Sequence, residues 1–117
     1  MMKSVLETFV EFLLGAAIIM LVNYMFDSVY VKNFFVALLV AVVLAILNKL
    51  IKPILTFIAL PITILSLGLF QLVINGFILE LATILLAPDF QISSFFMTII
   101  TSICISIMYS VVGIKND

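Results

Sequence analysis

Residues 52–68 read KPILTFIALPITILSLG. Prolines stand at 53 and 61 and a glycine at 68, the rest is almost wholly apolar, and no residue from Pro53 to Leu79 carries a charge. The stretch is a kinked helix, a broken re-entrant element, or a segment lying on a membrane surface. Each choice puts the chain's few polar groups in a different place.

The composition sets the solvent. Of 117 residues, 67% are hydrophobic and 9% charged, against about half and a quarter in soluble domains. So apolar a chain cannot cover its own surface with polar groups, so lipid is its solvent. The net charge of −1 argues against a nucleic-acid partner, and the absence of arginine removes guanidinium recognition of phosphate. There is no histidine and one cysteine, Cys104. His/Cys metal sites, Ser-His triads and internal disulfides are therefore excluded, and no catalytic residue, metal site or cofactor is expected. Cys104 lies in an apolar run and reads as a small packing residue.

A span needs about 20 mostly apolar residues. Charge-free runs occur at Phe12–Phe26, Asn33–Asn48, Pro53–Leu79 and Phe90–Ile114. Glu7 and Glu11 interrupt the first apolar region and no small-x-small cleavage site follows, so the N-terminus reads as a retained helix. The expectation is one all-α transmembrane domain over residues 1–117, with helices at about 5–26, 31–48, 69–87 and 93–114. Four crossings with the N-terminus inside put Lys3, Lys49, Lys52 and Lys115 in the cytoplasm and only Lys32 outside. The positive-inside rule therefore predicts N-in, C-in in a bacterial inner membrane.

The opening stretch is read within that frame. A helix continuing through Lys49 and Lys52 to Leu60 would bury two lysines, at about 2.5–3.5 kcal/mol each. A single helix from Pro53 to Leu79 needs a kink at Pro61 and leaves Leu81–Ala87 unexplained. The third reading is a short interfacial helix over about 50–60. Lys49, Lys52 and Thr56 share its polar face, the chain re-enters through Pro61–Gly68, and Pro88-Asp89 makes the outer turn. This reading uses both prolines and the glycine, and it leaves Glu80 inside the membrane.

Small or polar residues recur every four positions. They are Ser94, Thr98, Ser102, Ser106 and Ser110 in the last helix, and Asn33, Ala37, Ala41, Ala45 and Lys49 in the second. Glu7, Glu11, Gly15 and Asn23 line the first, and Gly76, Glu80, Thr83 and Ala87 the third. Such stripes let helix backbones approach in lipid. The bland reading is packing within one bundle; the functional reading is a hydroxyl-lined pathway or a subunit interface, hence a homo-oligomer. Glu11 and Glu80 are candidate proton carriers, since an intramembrane acid is a functional candidate by default. Lys49 and Lys52 are candidate contacts to anionic lipid headgroups.

Three segments carry a resemblance: LNKLIKPIL (47–55), LPITILSLGLFQLVING (60–76) and APDFQISSFF (87–96). They resemble the small bacterial membrane proteins of the YvlD type, phage holin family 4 (mycobacteriophage holin superfamily IV), over about residues 35–113. By position, the resemblance marks Asn48, Pro53, Leu60, Pro61, Thr63, Gly68, Phe70, Asn75, Pro88 and Phe90. Asp89 stands where the family has glycine, and Glu80 where it has an apolar or aromatic residue, so neither acid inherits a family-wide role. Holins open lesions in the inner membrane, whereas most YvlD-like proteins look like resident genes linked with envelope stress. The resemblance thus implies a non-enzymatic, self-associating membrane protein. The alternative is a small proton-coupled transporter or channel using Glu11 or Glu80. Four helices with a carboxylate in the first are similar to small multidrug exporters, although FVEFLLGAAII is a loose match and tryptophan is absent.

Overall fold

The computed structural model describes residues 5–113. Lys3, Lys115 and Ile114, used above for orientation and for the end of the last helix, lie outside the described residues. The element order is α1 (Val5–Met25), β1 (Val29–Val31), α2 (Phe34–Leu50), α3 (Lys52–Ile58), α4 (Leu60–Leu65), α5 (Phe70–Leu86), β2 (Phe90–Ile92) and α6 (Phe95–Val112). The chain is mostly helical, but the all-α expectation is corrected by two short strands. They occupy the turns α1–α2 and α5–α6 and pair antiparallel, with Tyr30 opposite Gln91. Because Val29–Val31 is strand, α2 starts at Phe34 rather than at 31, and it runs on to Leu50 rather than stopping at 48.

Helix lengths follow from apolar run length and local stops. α1 has 21 residues, about 32 Å at 1.5 Å per residue, and α6 has 18, about 27 Å. Both are long and apolar enough to cross a hydrocarbon core of about 30 Å. α2 joins α3 at a 42° bend, and the pair together meets the same test. α5 is a shorter apolar helix of 17 residues. The stretch from Pro53 to Leu79 is divided among three helices. Pro53 and Pro61 sit in the first turns of α3 and α4, where a missing N–H costs nothing. Neither short helix has a buried residue.

The α4–α5 turn is closed by its own polar groups. The Gly68 N–H donates to the Thr63 carbonyl at 2.8 Å. The Ser66 hydroxyl donates to Thr63 O at 3.1 Å and accepts from Phe70 N at 3.0 Å. Gly68 takes φ +91°, which a side chain would resist.

The molecule is two copies of one hairpin. Adding 61 to a residue number in the first gives its counterpart in the second: Met25, ending α1, becomes Leu86, ending α5. Gly15 becomes Gly76, and the helix-capping Asn33 becomes the helix-capping Ser94. Asn33 accepts from Val36 N at 2.9 Å and Ser94 from Met97 N at 3.2 Å. Phe9, Phe34, Phe35 and Ile46 meet identical residues at 70, 95, 96 and 107. Lys32 N donates to Asp89 O and Ser93 N to Ser28 O, both at 2.9 Å; these two bonds are each other's images. The ribbon pairs Val29 with Ile92 and Val31 with Phe90, as a two-fold axis between Tyr30 and Gln91 requires.

Within each hairpin, glycine permits close approach. A Cβ on Gly15 would lie 3.3 Å from Ala41 Cβ, and one on Gly76 only 3.1 Å from Ile99 Cα. Ala16, Ile19, Val22, Val36, Val40, Ile78, Leu79 and Phe90 belong to the buried apolar core. The expected stripes are spent partly here. Ala37, Ala41, Thr98 and Ser102 are buried, while Ser94 is a cap and Ala45 and Ser110 remain exposed.

Candidate functional site

In the half of the bundle away from the ribbon, the hairpins part around a cleft of about 240 Å³. α2 contributes Ala41, Leu44, Ala45, Asn48 and Lys49; α6 contributes Ser102, Ile105, Ser106 and Tyr109. Four of these pairs are counterparts 61 residues apart: 41 with 102, 44 with 105, 45 with 106, and 48 with 109. The cleft therefore straddles the pseudo-two-fold axis. α1 adds Glu11 and Phe12, α5 adds Asn75, Ile78 and Leu79, and α3 adds Lys52 at its start.

The sequence suggests separate roles for Glu11, Asn48, Lys49, Lys52, Asn75, Ser102 and Ser106; the structure puts them on one surface. The cleft thus carries both signs of charge over an apolar floor. The Asn75 Oδ1 atom is buried and has no hydrogen-bond partner, a costly arrangement unless something else donates to it. Ser102 donates to its own helix at Ile99 O, 2.7 Å away, so its oxygen is left as an acceptor. Tyr109 is buried and comes close to α1: a Cβ on Gly15 would fall 2.7 Å from its hydroxyl oxygen. Gly15 makes room for that ring. The periodic stripes do not single out Tyr109, whose signal is its place 61 residues after Asn48.

Other marked residues lie elsewhere. Glu80 is absent from the cleft and sits between α5 and α6, accepting from the fully buried Thr98 hydroxyl at 2.9 Å. The Thr83 hydroxyl donates to the Glu80 carbonyl at 2.6 Å. Ser94 and Ser110 flank the buried part of α6 and do not line the cleft. Pro53, Pro61, Thr63 and Gly68 shape the linker, and Pro88 lies in the turn into β2. Asn23, at the foot of α1, accepts from Val31 N at 2.9 Å and fastens the ribbon to the helix. Among the described residues no group of three His, Cys, Asp or Glu side chains converges as metal ligands.

Known proteins bear on this arrangement. The model of the mycobacterial phage holins with four transmembrane segments, superfamily IV, matches residues 6–111. The membrane protein YvlD of Bacillus subtilis (strain 168) is 33% identical over 100 residues, which cover 86% of this chain and 84% of that one. No solved structure matches. With nearly the whole described chain inside the match, hairpins and linker alike, the protein belongs to the four-segment phage holin superfamily IV.

Proposed function

We propose that the protein is a non-enzymatic component of the bacterial inner membrane that crosses it four times, N-in and C-in, and self-associates in a holin-like or envelope-stress role. The observation that carries this is the cleft. Glu11, Asn48, Lys49, Lys52, Asn75, Ser102 and Ser106 converge on an opening between two repeats. In this placement α2 and α5, each about 26 Å long, cross with the help of their flanks. Lys49 and Lys52 lie at the cytoplasmic end, and Asp27 and Asp89 at the outer, ribbon end. Self-association is supported by Ser110, a stripe residue on α6 that is exposed outside the cleft as small-residue surface for a second copy. The test is disulfide crosslinking in membranes of a Ser110→Cys variant in a Cys104→Ser background, with membrane potential followed on overexpression. Dimers and a falling potential are expected; monomer alone rejects self-association.

The second reading is proton-coupled transport through the same cleft, favoured by Glu11 on its wall beside Asn48, Asn75 and Tyr109. Small transporters place their sites at repeat interfaces. Proton-coupled flux in liposomes lost in Glu11→Gln and kept in Glu80→Gln supports it, and flux unchanged by Glu11→Gln removes it.

A further inference from the structure

We infer that the linker α3–α4 is immersed in hydrocarbon, its outward surface a contact for lipid acyl chains, instead of lying flat among the headgroups as an interfacial helix over 50–60 would. In the orientation proposed above, which this inference takes over, the leaflet is the inner one. Neither self-association nor the cleft enters.

Polarity comes first. Residues 52–69 have four polar side chains, on Lys52, Thr56, Thr63 and Ser66. All four are half-buried, and no exposed residue of that stretch is polar. Ile54, Phe57, Ile58, Ile64, Leu65 and Leu67 are 57–93% exposed. A helix lying on a membrane keeps a charged face toward water, rich in lysine or arginine. Here the polar positions are the half-buried ones, and the exposed surface leaves no polar face for water.

The backbone agrees. Across the joint between α3 and α4, Ala59 N–H donates to Leu55 O and Thr63 N–H to Ala59 O, both at 2.9 Å. From Ser66 to Leu72, through the turn into α5, every N–H has an acceptor within 3.2 Å. A helix end in water can leave such donors to the solvent. In hydrocarbon each must be bonded within the chain, and this linker, though broken twice, is closed in that way.

Direction and length complete the case. A flat-lying helix turns by about 90° from a spanning one, since it lies in the plane of the interface. α3 departs from α2 by 42°, so most of its rise continues along α2. α2 alone measures about 26 Å, short of a core of about 30 Å, and α3 supplies the remainder. α3 also packs against α5, itself a crossing helix in the proposed placement. Lys49, which is exposed, reaches the headgroups by its long stem.

The chain has no tryptophan, so Phe57→Trp or Leu65→Trp supplies a single indole at an exposed apolar position. Each full-length variant is placed in phosphatidylcholine–phosphatidylglycerol vesicles, with circular dichroism to confirm folding. Emission is read with acrylamide in the water and, separately, with lipids brominated along their chains. Both indoles should lose most of their emission to the brominated chains and little to acrylamide. Quenching by acrylamide with little from the brominated chains overturns the inference and lays the linker on the surface. Resistance to both quenchers also overturns it, and gives the outward face to a second copy or another protein. Labelling of Lys49→Cys, in a Cys104→Ser background, by an impermeant maleimide outside intact cells would reverse the proposed orientation. The quenching pattern would then still show immersion, in the opposite leaflet.

Discussion

Replacing Gly76 with alanine tests whether the α5–α6 hairpin is set by close backbone approach. The added Cβ would stand 2.6 Å from Ile99 Cγ1 and 3.1 Å from Ile99 Cα, where carbon atoms prefer about 3.5–4.0 Å. The Ile99 side chain can swing away, but its Cα cannot, so the helices must separate by about 0.4 Å. A gap near 0.5 Å forfeits about a quarter of each facing dispersion interaction. It also stretches the Thr98–Glu80 bond, one turn along, from 2.9 Å past the usual O–H···O range of about 2.5–3.0 Å. Overpacking of this kind costs about 1–3 kcal/mol, and the strained bond adds about 0.6 kcal/mol. Against that, alanine's helix propensity returns about 1 kcal/mol. The clash wins, with a net loss of about 1.5 kcal/mol. Unfolding by SDS in mixed micelles, followed by circular dichroism, measures it. In an Ile99→Ala background the loss should shrink without vanishing, because the clash with the Ile99 backbone stays. A Gly76→Ala protein as stable as wild type, or more so, refutes the close-approach argument.

Three further outcomes follow from single interactions. A double-mutant cycle of Thr98→Val and Glu80→Leu should give a coupling of about 0.6 kcal/mol, near the average for hydrogen bonds between membrane helices, whereas Glu80→Gln, which keeps an acceptor, should cost less than either single change. Asn23→Leu removes the acceptor for Val31 N and should cost about 1 kcal/mol; amide exchange at Val31 should accelerate while exchange in the centre of α6 does not. Gly68→Ala places a side chain at φ +91° and should destabilise the α4–α5 turn by about 1 kcal/mol, seen as faster proteolysis between residues 63 and 70 with the hairpins left intact.

Much of this fold was legible because lipid imposes simple rules. Lysines cannot stay buried, so Lys49 and Lys52 announced the end of α2. Pro53, Pro61 and Gly68 suggested one short helix over 50–60 and a re-entry from Pro61, whereas the structure has two short helices, α3 and α4, with Pro61 in the first turn of the second. The helical periodicity of the α2 and α6 stripes marked Ala37, Ala41, Thr98 and Ser102, which are buried, but also Ala45 and Ser110, which are exposed. The strands were hidden for a physical reason: VYV and FQI are too short for alternation to register, and their pairing depends on residues 61 positions apart. Asn33 and Ser94 looked like the first members of stripes, but a polar residue at that spacing is also what a helix N-terminus needs. Glu11 and Glu80 were both candidate proton carriers. Only packing separates them, with Glu80 tied to Thr98 inside a hairpin and Glu11 turned to the opening between hairpins. The repeat itself was within reach in the paired Phe-Phe dipeptides at 34 and 95, though five identities per hairpin are faint beside the general apolar background.

The ribbon has a mechanical consequence. Lys32 and Ser93 bond across it at one end of the molecule, while at the other end the hairpins border the cleft and are joined through the jointed linker of α3 and α4. Motion between the repeats is therefore that of tweezers, pivoting where the strands meet. Over a lever of about 30 Å, a rotation of about 10° spreads the tips by about 5 Å and barely moves Tyr30 against Gln91. The ribbon end stays closed while the other yields, so any gate between the repeats opens first at the end that carries Lys49 and Lys52.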